Sequence, residues 1–350
     1  MRLGIYTFGD LRPDPVTGKT ISPAERMAQM MEMAKLADEA GLDLIGVGEH
    51  HGLDYVNSAT AVQLAAIGTV TKRIRLSSAT TLIATADPVR TFQEFATADL
   101  LSGGRVEIIV GRGAFNDNYA LFGHDMADYD ALFVEKLDLL ERLNTSERIT
   151  WRGQFRSPLS DAPIAPRPAQ PRLPISVGAV SPASVQRVAR EGYRLTLPLL
   201  GGLIPRYGQL AELYRTAWTD RGRSASARPE VAVFGHAHVS TKSGAMADFF
   251  PYYSAYLEPL FKGSIPQDQY RAFWSPTGSL IAGSPLQVVD KLSLLHEATG
   301  CDLFAGQIDI GAQPFSQVLR GIELLATQVS PSLRNLGNDP ADSRRSSPRV

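Results

Sequence analysis

One cysteine, Cys301, occurs in 350 residues. That lone thiol excludes an internal disulfide framework and a zinc site built from several cysteines, and a reducing cytoplasm fits it. Histidine is scarce as well, with six in all. Neither sign of charge dominates, because 35 Lys and Arg stand against 36 Asp and Glu, a formal −1. Such a balance gives no electrostatic case for nucleic acid or an anionic membrane as the main partner. No apolar run is long enough to span a bilayer. The opening residues MRLGIYTFGD have no basic stretch followed by a long apolar core, so no secretory signal is expected. The first strand-to-helix turn also lacks the glycine fingerprint of a dinucleotide site.

What is present is an ordinary globular apolar content of 44% and a regular alternation of two patterns. Short β-rich runs fall at 3–8, 43–48, 74–80, 105–111, 174–179, 194–199, 230–240 and 301–309. Amphipathic segments at 22–41, 58–71, 88–102, 129–143, 182–191, 206–221, 285–299 and 315–328 lie between and after them. The segment 22–41 shows the chemistry of a helix at both ends: Ser22 caps, Pro23 suits the first helical position, and Gly41 stops it. Its stripe of Met27, Met30 and Met31 reads as core. Strict alternation argues a parallel sheet with outer helices, and eight units make a (β/α)8 TIM barrel the natural closure. A doubly wound sheet is the competitor. We therefore expect one α/β barrel domain over 1–330 and a disordered tail over 331–350.

Three segments break the rhythm. They lie after strand 4 (111–128), before strand 5 (144–173) and after strand 7 (241–283). Long insertions at the C-terminal ends of barrel strands build active sites. The last contains FFPYYSAYLEPLF. Its aromatics either face a pocket as a lid or pack an extra helix onto the barrel.

Chemistry-bearing residues gather at the strand ends. Glu49, His50 and His51 end strand 2 in GEHHGLDY. Adjacent residues of a strand point oppositely, so one histidine faces the pocket and the other takes a structural hydrogen bond. A neutral imidazole at a pocket mouth suits proton handling near neutral pH. Thr80 and Thr81 end strand 3. Arg112 stands between Gly111 and Gly113 as an anion site, or pairs with a loop acid such as Asp117. The turn GAVSPAS (178–184) leads into a helix whose N-terminus favours phosphate, with Ser181 and Ser184 as hydroxyl donors or Ser181 simply as the cap. His236 and His238 share a strand face and form a conceivable metal pair, which leaves a metal-dependent hydrolase open.

The combination of EHH, TLIATADPVRTFQEFATADLLSGGRVEIIVGRG (81–113) and DNYALFGHDM (117–126) resembles the bacterial luciferase-like flavin monooxygenases. The resemblance runs over about residues 1–330 and is strongest at 40–130. It implies a (β/α)8 barrel that binds reduced FMN, or in one branch the deazaflavin F420, at the C-terminal mouth. By position, His50 corresponds to the family's catalytic histidine and Arg112 to the arginine that grips the flavin phosphate. Gly178, Ala179, Val180, Ser181 and Ser184 correspond to the phosphate loop, and Ala79–Thr80 to a non-proline cis peptide under the flavin ring. The resemblance further implies O2 and a small organic substrate, a separate NAD(P)H:flavin reductase, a homodimer through helices 2 and 3, and no resident metal. Segment 241–283 would be the shield around the reacting flavin. The sequence departs from the luciferase alpha subunit in having Gly111 where that chain has cysteine and Val180 where it has glutamate, so light emission is not implied. An F420-dependent dehydrogenase stays open, with Arg152, Arg156 and Arg167 available for a longer acidic tail. A non-catalytic flavin-binding subunit is the other alternative. Phe8, Phe115 and the lid aromatics would line an apolar substrate pocket.

Overall fold

A computed structural model describes residues 1–113, 117–224, 230–334 and 336. Its chain begins with β1 (Arg2–Thr7), α1 (Pro23–Ala40), β2 (Leu44–Val47) and α2 (Thr60–Val70). It continues through β3 (Arg75–Ser78), β4 (Thr81–Leu82), α3 (Pro88–Ser102), β5 (Val106–Gly111), α4 (Asp117–Leu121) and α5 (Tyr129–Thr145). A hairpin, β6 (Arg148–Trp151) with β7 (Leu159–Pro163), precedes β8 (Ile175–Gly178), α6 (Pro182–Glu191), β9 (Arg194–Leu199) and α7 (Ile204–Thr219). Next come β10 (Val231–Val239), α8 (Ala245–Phe261), α9 (Gln267–Trp274), β11 (Ile281–Gly283) and α10 (Pro285–Thr299). The chain closes with β12 (Leu303–Gln307), α11 (Phe315–Leu324), a π-helical turn over Leu325–Val329 and α12 (Ser330–Leu333).

Pairing is parallel throughout the main sheet, in the order β1, β2, β3, β5, β8, β9, β10 and β12, and β12 returns to β1 with Tyr6 opposite Gln307. This is the closed eight-stranded barrel that the alternation predicts. Side chains of period two divide it: Leu3 and Ile5 join the large layer beneath the helices, while Tyr6, Leu44, Ile109, Phe234 and Leu303 form a smaller core inside. The interior is therefore filled, and only the strand ends offer room for a ligand. Helix starts follow the Ser/Asp-Pro pattern. Ser22, Asp87, Ser181 and Ser284 cap helices that each carry proline in the first turn.

Two features depart from expectation. The segment 144–173 holds the β6–β7 hairpin, and 241–283 holds two helices and the short β11 strand that extends the edge of β10. The aromatics of α8 and α9 pack with one another: Phe249, Tyr253, Tyr270 and Phe273 are buried in a cluster with Leu257, Leu280 and Ile310. Order also continues past residue 330, where α12 buries Leu333 in the main core. Residues 337–350 lie outside the described residues. Among the described residues no helix is long and apolar enough to cross a membrane.

Asp38 joins two of the β/α units. Its buried carboxylate accepts the backbone N–H groups of Lys72, Arg73 and Ile74 at 2.8, 2.8 and 2.7 Å. Burial pushes its pKa up, but those three donors and the Arg73 charge outweigh burial and leave it below the usual value. Asp38→Ala strands three donors and should cost about 2–4 kcal/mol in denaturant unfolding at pH 7. Because the folded-state pKa is depressed, that contribution is present above the ordinary carboxylate pKa. It is lost as pH falls through the lowered value, so the parent and the variant should converge in acid.

Candidate active site

A cleft of about 490 Å³ opens at the C-terminal ends of the strands, a volume suited to a small-molecule ligand. It is lined by Glu49 and His50 after β2, Ala79 and Thr80 between β3 and β4, Gly111 and Arg112 at the end of β5, and Gly178, Ala179, Val180, Ser181 and Ser184 from β8 into α6. The residues that the resemblance places at the flavin, His50, Ala79, Thr80, Arg112, Gly178, Ala179, Val180, Ser181 and Ser184, therefore fall in one cleft.

The strand that becomes β3 and β4 is interrupted at residues 79–80, and Ser78 bridges the gap. Its hydroxyl donates to Ile109 O and accepts from Ile109 N, both at 2.9 Å, replacing the missing ladder bonds with β5. The Ala79–Thr80 peptide bond is cis, as the resemblance implies. Glu49 N donates to Thr80 O at 3.1 Å, and Glu49 Oε2 accepts from Leu82 N at 2.9 Å. Gly111 lies directly beside this segment. A Cβ there would stand 2.6 Å from Thr80 Oγ1, so the Thr80 side chain fills the space that a larger residue at 111 would need.

The two histidines divide as expected. His51 Nε2 pairs with Glu49 Oε1 at 2.9 Å, and its ring meets Phe122 edge-on at 4.8 Å. His50 faces the cleft. Its ring lies flat on Tyr55, with centroids 4.1 Å apart at 14°, and Phe8 stands edge-on to it at 4.6 Å. Burial, then the neighbouring His51 and Arg12, push the His50 pKa down to about 4. The imidazole is therefore neutral at neutral pH.

At the other end, Arg112 stands 5.4 Å from the Tyr129 ring centroid and 5.0 Å from that of Phe133. It pairs with Asp130 at 3.2 Å, and the side chain of Asp117, the loop acid named from the sequence, lies outside the described residues. Ser181 and Ser184 form a reciprocal capping box, each hydroxyl serving the other's backbone N–H, so both the capping and the lining roles hold. Sequence reasoning missed Arg187, which lines the cleft one helical turn beyond Ser184 and stands 5.6 Å from the same Phe133 centroid. It pairs with Glu191 at 3.9 Å. The spacing of three from Ser184 was the available signal. Also missed was Thr196, which lines the cleft and whose buried hydroxyl has no protein partner among the described residues. The two guanidinium groups beside a helix start fit a phosphate, and the orphaned hydroxyl fits a polar ring edge, so these residues suit a flavin phosphate ester.

Other expectations are decided by the structure. Of the two readings of 241–283, the packing of extra helices holds: its aromatics form their own cluster, and none of its residues lines the cleft. Arg156 donates to Asp87 at 2.8 Å, and Arg167 donates to the carbonyls of Leu143, Asn144 and Ser146 while lying over Phe92. Neither these two nor Arg152 lines the cleft. Phe8 lines it, whereas Phe115 lies outside the described residues. His236 bonds Tyr253 at 3.0 Å and His238 lies flat on Phe249 at 4.1 Å. Among the described residues no three potential metal ligands converge.

The family model described as luciferase-like monooxygenase matches residues 1–301. The chain belongs to that family. It is 23% identical to the oxygenase component of the flavin-dependent trigonelline monooxygenase of Acinetobacter baylyi, over 95% of each chain. The structure superposes on monooxygenase RslO1 from Streptomyces bottropensis with a TM-score of 0.83 at 23% identity, covering 95% of this chain and 99% of that one. A relative of different chemistry, the F420-dependent glucose-6-phosphate dehydrogenase of Amycolatopsis mediterranei, is 31% identical over 53% of this chain and 55% of its own.

Gly111→Ala should push Thr80 into the cleft floor and weaken binding of a flavin or deazaflavin offered to the cleft at least about tenfold, a loss of roughly 1.4 kcal/mol. Thr80→Ala in the same chain should restore most of it. Equal affinities for the single and double variants, measured by fluorescence titration, would show that the two positions do not compete for space.

Proposed function

We propose that the protein is the oxygenase component of a two-component monooxygenase that takes reduced FMN from a separate reductase and uses O2 on a small organic substrate. The observation that carries this reading is the polarity of the cleft. Two arginines meet over Phe133 beside the start of α6 at one end, and a shielded neutral imidazole stands at the other. The flavin-dependent relative supports it. FMN is favoured over F420 because none of Arg152, Arg156 and Arg167, the candidates for a longer acidic tail, lines the cleft, and two of them are already bonded to Asp87 and to backbone carbonyls.

Reduced FMN, when bound, supplies the electrons that activate O2. Arg112, Arg187 and the N-terminus of α6 hold its phosphate, and Thr196 and the Ala79–Thr80 segment position its ring system. Phe8, Tyr6 and Phe234 give the reacting end an apolar wall that excludes water. His50, uncharged and confined between Tyr55 and Phe8, accepts and returns a proton at its cleft-facing edge without carrying a resting charge.

Anaerobic titration with reduced FMN and, separately, reduced F420, followed by oxygen, tests the reading. Tight binding of reduced FMN and an oxygen-dependent absorbance transient are expected. Binding of F420 alone, without that transient, would move the protein to the dehydrogenase branch. Arg112→Met and Arg187→Met should each weaken FMN about 10- to 100-fold while leaving riboflavin affinity unchanged, because only the phosphate contact is lost. Any step that needs neutral His50 should be flat from neutral pH down to about 5 and should fall only as pH drops through about 4, checked by stopped-flow rates across that range.

A further inference from the structure

Helix α8 carries Pro259 within its last turns. Proline has no N–H, so the carbonyl four residues earlier, that of Ala255, loses its helical donor. Arg12, in the loop after β1, supplies one from outside the helix. Its Nη1 donates to Ala255 O at 3.3 Å and lies 3.4 Å from Tyr256 O. The same guanidinium stands 6.0 Å from the Tyr256 ring centroid and 5.9 Å from that of Tyr55, with Asp54 at 3.3 Å. It is only 15% exposed, which keeps it from swinging freely into solvent. Tyr55 is the ring that lies flat on His50. The Arg12 loop is tied to the Tyr55 loop by the Asp10–Tyr55 bridge and by Leu11 N donating to Asp54 O at 2.6 Å.

We propose that Arg12 is a positioning residue that couples helix α8 to the His50 imidazole through the Tyr55 ring. The insertion after β10 thus reaches the reacting end of the cleft without lining it: its own aromatics stay in their cluster, and one arginine carries its position to the histidine. The relevance to turnover rests on the role proposed for His50, whereas the coupling is a property of the protein without cofactor. The charged and titratable groups around His50 are Glu49 and His51 in its own loop, Tyr55 on its face, Arg12 beyond Tyr55 with Asp54 outside it, and Asp10 near Tyr55. A cation fixed at Arg12 opposes protonation of the imidazole, adding to the effect of burial.

The test is an NMR titration of the histidine ring protons in the cofactor-free full chain. Six histidines make the spectrum tractable, and His50→Gln identifies the relevant signal. Arg12→Met should raise the His50 midpoint toward the ordinary imidazole value. Arg12→Lys retains the charge but not the planar fork, so its midpoint should stay near that of the parent. Pro259→Ala returns a helical donor to Ala255 and should displace the His50 ring-proton shifts, which the stacked Tyr55 ring dominates. An unmoved midpoint in Arg12→Met, or parent-like shifts in Pro259→Ala, would overturn the coupling. Reduced-FMN affinity measured on the same samples separates the two readings. Shifted His50 signals in a protein that does not bind flavin would leave the coupling standing and remove the proposed function.

Discussion

The Glu49 carboxylate is the contact on which the arrangement of the cleft depends. One oxygen holds His51, the other takes Leu82 N, and the backbone N–H of the same residue reaches Thr80 O. The end of β2 and the break between β3 and β4 are therefore one hydrogen-bonded unit. Removing the carboxylate would take the protein acceptor from the Leu82 N–H and from the largely buried His51 ring at once. This explains why two of only six histidines stand side by side. His51 is committed to the acid, strand geometry turns His50 the opposite way, and the cleft receives an imidazole whose neighbours are already satisfied.

The cleft that results is asymmetric. At one end the rings of Tyr129 and Phe133 carry guanidinium groups on their faces, where the aromatic quadrupole offsets part of the cost of holding cations close together. At the other, Tyr6, Phe8 and Phe234 make the wall apolar, and burial of His50 between Phe8 and Tyr55 depresses its basicity. A ligand with a dianionic tail and a flat polar ring system meets both conditions in a single orientation, which fixes which edge of the ring approaches the histidine.

The barrel was legible because its signals are local. Strand and helix periods differ, and Ser22, Asp87, Ser181 and Ser284 each precede proline at a helix start. Residues at strand ends were legible for the same reason, since a parallel barrel brings all such ends to one mouth. What failed was tertiary. The aromatic run in 241–283 states that α8 must bury a face, not which face it meets, and it met α9 and the ends of the strands. Arg156 and Arg167 look alike in sequence, yet one serves a helix cap and the other a set of carbonyls, because an arginine's partner depends on what folding brings within reach. Arg187 and Thr196 lay inside segments already assigned to a helix and a strand, and only the closed barrel shows which side of each faces the cleft.

The departures from the luciferase pattern acquire a physical sense in this setting. With glycine at 111, the Thr80 side chain occupies the space beside the cis bond, and its hydroxyl would lie 2.6 Å from a Cβ at that position. With valine at 180, no carboxylate enters the phosphate turn, and Val180 is half exposed at the cleft edge. Arg112 and Arg187 have Asp130 and Glu191 as acidic neighbours, at 3.2 and 3.9 Å. Asp130 is largely exposed, so water screens much of its hold on Arg112. With Val180 apolar, the turn itself adds no acid to the cleft edge beside Arg112 and Arg187.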